Sequence, residues 1–176
     1  MRRFGLSDKI RCSLAEGFSP WEKIYAQLSF IAMGLLGTVG ILLESWPWVL
    51  PYIAITWYGI PGIVMRHLVC PRCPHLHEYG DCLQLPATIT KWLVKQQKTT
   101  PFSTADRILF CAIFILVPTY PLYWLASHVT LLVGFLLMAG LWYSGQFLRF
   151  CKRCRVYDCP FNRVKVTHRA GTDGAH

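Results

Sequence analysis

The pattern of apolar and polar positions divides the chain sharply. From Ile24 to Met65 there is no Lys or Arg, and Glu44 is the only acid. From Ile108 to Leu148 there is no Lys, Arg, Asp or Glu at all. A helix needs roughly 20 apolar residues to cross a bilayer, so each stretch accommodates two crossings joined by a tight turn. The breaks fall at Glu44-Ser45-Trp46-Pro47 and at Ala126-Ser127-His128, with Trp46, Trp48, Tyr52 and Trp124 nearby, where aromatic rings favour the headgroup region. The pattern predicts an all-α integral membrane protein with transmembrane helices over about 24–44, 48–67, 105–126 and 129–149. A soluble protein with two apolar core hairpins is the competing reading, but such uncharged runs leave no polar face for water.

The apolar runs are preceded by similar signals. Phe18 to Ile24 reads FSPWEKI and Phe102 to Ile108 reads FSTADRI. Ser19 with Glu22, and Ser103 with Asp106, have the spacing of a capping box, in which the Ser accepts from first-turn N–H groups and the acid reaches back. Each signal marks the start of a helix. The hairpins also end alike. Cys70-Pro71-Arg72-Cys73 is followed by Tyr79-Gly80-Asp81-Cys82, and Cys151-Lys152-Arg153-Cys154 by Tyr157-Asp158-Cys159. The expected organisation is two tandem pseudo-repeated hairpins, each followed by a cytoplasmic cysteine motif. Residues 1–86 form the first unit, 87–164 the second, and 165–176 a disordered tail. An even number of crossings per unit gives both copies one orientation and brings their motifs to one side of the membrane.

Short amphipathic segments are expected before each hairpin. In the first, Leu6, Ile10 and Leu14 recur every four residues, though a disordered basic arm is equally compatible; in the second, Ile89, Trp92 and Leu93 lie beside basic residues. Gly34, Gly37 and Gly40 recur every three residues on the first helix and predict close helix approach there. No cleavable signal peptide is expected, because the first apolar run starts late and lacks a small-residue cleavage pattern after it.

Charge refines this picture. All 18 Lys and Arg fall before the first run, between the two runs, or after the second, and neither hairpin turn carries one. The positive-inside rule then places both termini and both cysteine motifs in the cytoplasm. The formal net charge of +9 is explained by basic residues beside anionic headgroups and calls for no nucleic acid.

The candidate chemistry lies in the cysteines. Six of the 8 belong to the motifs: Cys70, Cys73, Cys82, Cys151, Cys154 and Cys159. Cytosolic thiols stay reduced, so paired Cys-x-x-Cys motifs read as metal ligands rather than disulfides. Zinc is favoured. Four sulfurs shared between the halves (Cys70, Cys73, Cys151, Cys154) complete a tetrahedral site; alternatively Cys70, Cys73 and Cys82 with His75 or His77 build one within the first half. An iron–sulfur cluster is the alternative, though the common ferredoxin spacing is absent. Inert buried thiols or a catalytic dithiol are weaker readings of the motif cysteines, whereas Cys12 and Cys111 read as small hydrophobes. Arg72 and Arg153 read as headgroup contacts or as counter-charges to thiolates.

No histidine falls where a transmembrane haem would need it, no cysteine lies at the outer turns for a thiol relay, and no nucleotide loop, Ser-His-Asp arrangement or zinc-protease motif is present. The expected role is a non-enzymatic scaffold or accessory subunit that docks a cytoplasmic or membrane protein partner. The alternatives are an iron–sulfur electron-transfer subunit and a transporter or metal-handling protein. The lipid bilayer is the expected environment, and a homo-oligomer is compatible with it.

Overall fold

A computed structural model describes residues 17–94, 96–98, 100–162 and 164. Among these residues the protein is all-helical. Four helices are long and apolar enough to cross a membrane: α1 (Pro20–Glu44), α2 (Trp46–Arg72), α5 (Thr104–Leu125) and α6 (Val129–Phe150). Two short helices, α3 (Pro74–His77) and α4 (Ala87–Leu93), lie between α2 and α5. These features are those of a multi-pass membrane protein.

Both capping boxes form. The Ser19 hydroxyl accepts from the Glu22 N–H while the Glu22 carboxylate accepts from the Ser19 N–H, and Ser103 and Asp106 do the same at the start of α5. Pro20 occupies the first position of α1, where its missing N–H costs no intrahelical bond. The turns fall where expected: α1 stops at Glu44, with Ser45 as its C-cap, and His128 precedes α6. Glu44 meets His128 Nε2 at 3.4 Å, joining the two turns at one end of the bundle. α2 runs five residues past the expected boundary at 67, so Cys70 sits on its tightened final turn rather than in a following loop. Much of α2, over Ala54–Val69, is wound with the wider π-type bonding, with Pro61 inside it. Proline lacks an amide donor and crowds the preceding turn, which favours local unwinding. In α5, Pro121 interrupts the helix between Thr119 and Leu122.

The helices pack between hairpins as much as within them: α1 lies along α6, and α2 against α5. The shared core joins Phe30 and Met33 of α1, Ile60 and Val64 of α2, Phe110 and Ile113 of α5, and Phe135 and Trp142 of α6. The glycines of α1 serve close approach as expected. A Cβ at Gly37 would collide with the Tyr52 ring, and one at Gly40 with the Leu125 side chain. Two tyrosines add interhelical bonds: the Tyr25 hydroxyl donates to the Leu141 carbonyl, and the Tyr143 hydroxyl to the Phe114 carbonyl. Leu28, Leu35, Leu42, Leu136 and Leu137 remain on the outside, the distribution a lipid-facing surface requires.

The expected surface segment of the second half is helix α4, whose Ile89 and Trp92 are exposed. The corresponding N-terminal segment around Leu6, Ile10 and Leu14, Cys12, and residues 165–176 lie outside the described residues.

Candidate functional site

The helix ends opposite the two turns carry both cysteine motifs. Cys70 opens the last turn of α2, Cys73 precedes α3, and Cys82 follows Gly80, whose φ of 64° provides the left-handed turn needed to reverse the chain. Cys151, Cys154 and Cys159 lie in the turns after α6. All six motif cysteines line one cavity of about 160 Å³, together with His75 and Asp81. Among the described residues, no group of three or more Cys, His, Asp or Glu side chains stands in the arrangement of a formed metal site.

Four of these sulfurs sit in turns that aim backbone N–H groups at them. The Val156 N–H lies 3.4 Å from Cys154 Sγ. Cys73 accepts from Leu76 and His75, Cys82 from Leu85 and Gln84, and Cys159 from Phe161 and Asn162. Such donors, two or three residues beyond the cysteine, stabilise a thiolate without adding a cationic side chain. Asn162 fixes the second motif by donating from Nδ2 to the carbonyls of Cys154 (2.9 Å) and Val156 (2.8 Å).

The thiols sit close enough to influence one another. Cys82 is lowered to about 6, first by the hydrogen bond from the Cys70 thiol, against the opposing effect of burial, and further by the backbone donors. Burial pushes Cys73 up to about 11 despite its N–H donors, with Cys82 and Asp81 adding to the rise. Burial also pushes Cys154 well up, and the neighbouring sulfurs raising it include Cys73 of the other motif. Cys159 is raised chiefly by burial, and the Cys111 thiol of α5 adds to it. Cys73 and Cys154 are thus near enough to act on each other across the two motifs, as Cys111 and Cys159 are across α5 and the second motif.

The two histidines differ. His75 is buried in the cavity wall with its ring 5.1 Å from that of Phe18. His77 donates from Nε2 to the Cys70 carbonyl at 3.2 Å, which commits that nitrogen to holding the chain.

Ion pairs lock the motifs to the helix starts, and they do so crosswise. The Arg72 guanidinium of the first motif reaches Asp106 of α5 at 3.0 Å. Arg153 of the second motif reaches Glu22 of α1 at 2.9 Å, and Arg149 joins it at 3.0 Å. Each capping acid therefore does two things: it closes its own helix start and receives an arginine from the opposite half. Arg72 also donates to the carbonyls of Leu68 (2.8 Å) and Thr100 (2.7 Å), and its guanidinium covers the Phe102 ring. Arg155 donates to the Tyr79 hydroxyl at 2.7 Å, another contact between motifs. Asp81 receives the Phe18 N–H at 2.7 Å and pairs with Lys23; burial opposes its ionisation, but these partners and the Cys82 N–H hold its carboxyl below the usual range. Spacing marks the acids as caps and charge marks the arginines as headgroup or thiolate partners; the pairing between them depends on how the helices are ordered in the bundle.

Deeper in the cavity the walls become apolar and aromatic: Ile60, Val64, Phe110, Phe114 and Trp142. The class that fold and site define is a multi-pass helical membrane protein with a cysteine-lined cavity at one end of its bundle. Comparison with known proteins finds no matching family model, no similar curated protein and no similar solved structure.

Proposed function

We propose that the chain is a multi-pass membrane protein whose two cysteine motifs jointly hold a thiolate-ligated metal centre on the cytoplasmic side, with zinc the favoured ion. The observation that carries this reading is the lining of one cavity by all six motif cysteines, four of them in turns that direct backbone N–H groups at sulfur. Thiolate sites suit zinc and iron–sulfur iron better than harder cations. Binding would draw in sulfurs that burial otherwise keeps protonated, releasing protons as it does so. Cys73, Cys82, Cys154 and Cys159 are the favoured ligands; Cys70, Cys151 and His75 are within the same lining. The matched capping boxes and the crosswise arginine pairs support descent from a duplicated unit. With its metal in place the motif end would be a rigid platform, and the role proposed for it is docking a cytoplasmic or membrane protein partner without chemistry of its own.

An iron–sulfur redox subunit is the second reading. It is favoured by the number of sulfurs, six with Cys111 close by, and by a cavity larger than a single ion needs. Metal analysis with a visible spectrum, on protein purified without air, separates the two. Zinc in a colourless sample supports the structural cap. Iron with matching sulfide and a brown colour supports the redox subunit. Absence of metal, with all six thiols open to alkylation, overturns both.

A further inference from the structure

Helix α4 has two unlike faces. Thr90 and, just past the helix end, Val94 are buried, and Val94 packs in a small core with Met65, Cys70 and Leu76. Ile89 and Trp92, three residues apart and so neighbours on the helix surface, lie on the other face, 49% and 78% exposed. The chain just beyond α4 is tied to the last turns of α2. The Lys98 N–H donates to the Pro71 carbonyl at 2.8 Å, and its Nζ donates to the His67 carbonyl at 3.3 Å. These contacts hold α4 at the level of Met65 to Pro71. The uncharged run of α2 ends there, at Arg66 and His67. It is the depth at which hydrocarbon gives way to headgroups.

Charge narrows what meets the exposed face. From Leu83 to Ala105 the sequence carries Lys91, Lys95 and Lys98 and no Asp or Glu. Lys91, Lys98 and Arg66 are exposed, and among the described residues no carboxylate pairs with them. We infer that the outer face of α4 docks on an anionic phospholipid surface: Trp92 and Ile89 seat among headgroups and upper chains, and Lys91 and Lys98 take lipid phosphates. An indole is favoured at that depth, where its ring leaves water and its N–H still finds acceptors. Lysines beside it gain from the negative potential of anionic lipid. The buried side of the same segment packs on Cys70 through Val94, so lipid docking also steadies the first motif. The inference rests on membrane placement and not on the metal reading, and the two fail separately.

For the test, the full chain in mild detergent is offered equal amounts of phosphatidylglycerol and phosphatidylcholine with the same acyl chains. Retained lipid is counted by native mass spectrometry. Phosphatidylglycerol is expected to be preferred, and the preference to fall about fivefold for each lysine in Lys91→Gln and Lys98→Gln. A second measurement reads the apolar face in nanodiscs. The tryptophan emission missing from Trp92→Phe is expected to be quenched by lipid brominated high on its chains and not by acrylamide in the water. Equal retention of the two lipids by the wild type, or an unchanged preference in both lysine variants, overturns the proposal. So does Trp92 emission that acrylamide alone quenches, or that neither quencher reaches, as a second copy of the chain on that face would leave it.

Discussion

The buried carboxylate of Glu22 receives Arg153 Nη1 at 2.9 Å and Arg149 Nε at 3.0 Å, across more than a hundred residues of chain. One acid at the start of α1 thereby holds the end of α6 and the arginine inside the second Cys-x-x-Cys. The arrangement fixes where that motif sits relative to the first, because Phe18 and Lys23, beside Glu22, hold Asp81 of the first motif.

Replacing Glu22 by Gln keeps an acceptor for the cap but removes the charge that two arginines share. Both arginines are partly exposed, so water recovers part of the loss. A destabilisation of about 1–2 kcal/mol is expected, in line with hydrogen bonds to charged groups. Thermal unfolding in mild detergent measures it, and a double-mutant cycle with Arg153→Met isolates the pair. A coupling indistinguishable from zero would remove the crosswise lock from the account.

Arg72 is more deeply committed than Arg153, because its guanidinium serves two carbonyls, Asp106 and the face of Phe102 together. A lysine keeps the charge but not the planar fork. Arg72→Lys is therefore expected to lower the melting temperature more than Asp106→Asn, which leaves both carbonyl bonds in place. The reverse order would show that charge, and not geometry, anchors the first motif.

Glycine packing gives a contrast within one protein. At Gly40 an added side chain meets Leu125, whereas at Gly140 nothing lies within 4 Å. Gly40→Leu is expected to cost about 1–3 kcal/mol by overpacking. Gly140→Ala should be neutral, or stabilise by up to about 1 kcal/mol through helix propensity. Detergent unfolding of the two variants checks this; equal effects would argue against close contact of α1 with its neighbours.

The span boundaries were legible because charge is excluded from a bilayer-spanning helix: Glu44 and His128 bracket the turns, and Ser19 and Ser103 open α1 and α5. The glycine face of α1 was legible for a similar reason, since close approach demands small residues at helical spacing. Which helix lies against which was not. In lipid the outward and inward faces are both apolar, so periodicity carries little record of neighbours, and the contacts of α1 with α6 and of α2 with α5 left no trace in pattern. The partners of Arg72 and Arg153 follow from that order and were hidden with it. So was the proximity of Cys111 to Cys159, since an isolated cysteine in an apolar run has no spacing to betray it.

Topology is testable with single cysteines at the turns. Ser45→Cys and Ser127→Cys are both expected to react with a membrane-impermeant maleimide added outside intact cells, while the native motif thiols do not. Labelling of one turn without the other would contradict a four-crossing arrangement with both motifs on one face.

The central claim is a metal centre shared by the two motifs, and the most direct measurement is metal per chain in wild type, Cys73→Ser and Cys154→Ser, each purified without air. If the halves share one centre through Cys73 and Cys154, the wild type carries bound metal and either single substitution depletes it, although the residues come from different hairpins. Full retention of metal in both variants, or a metal-free wild type with six reactive motif thiols, would contradict the account.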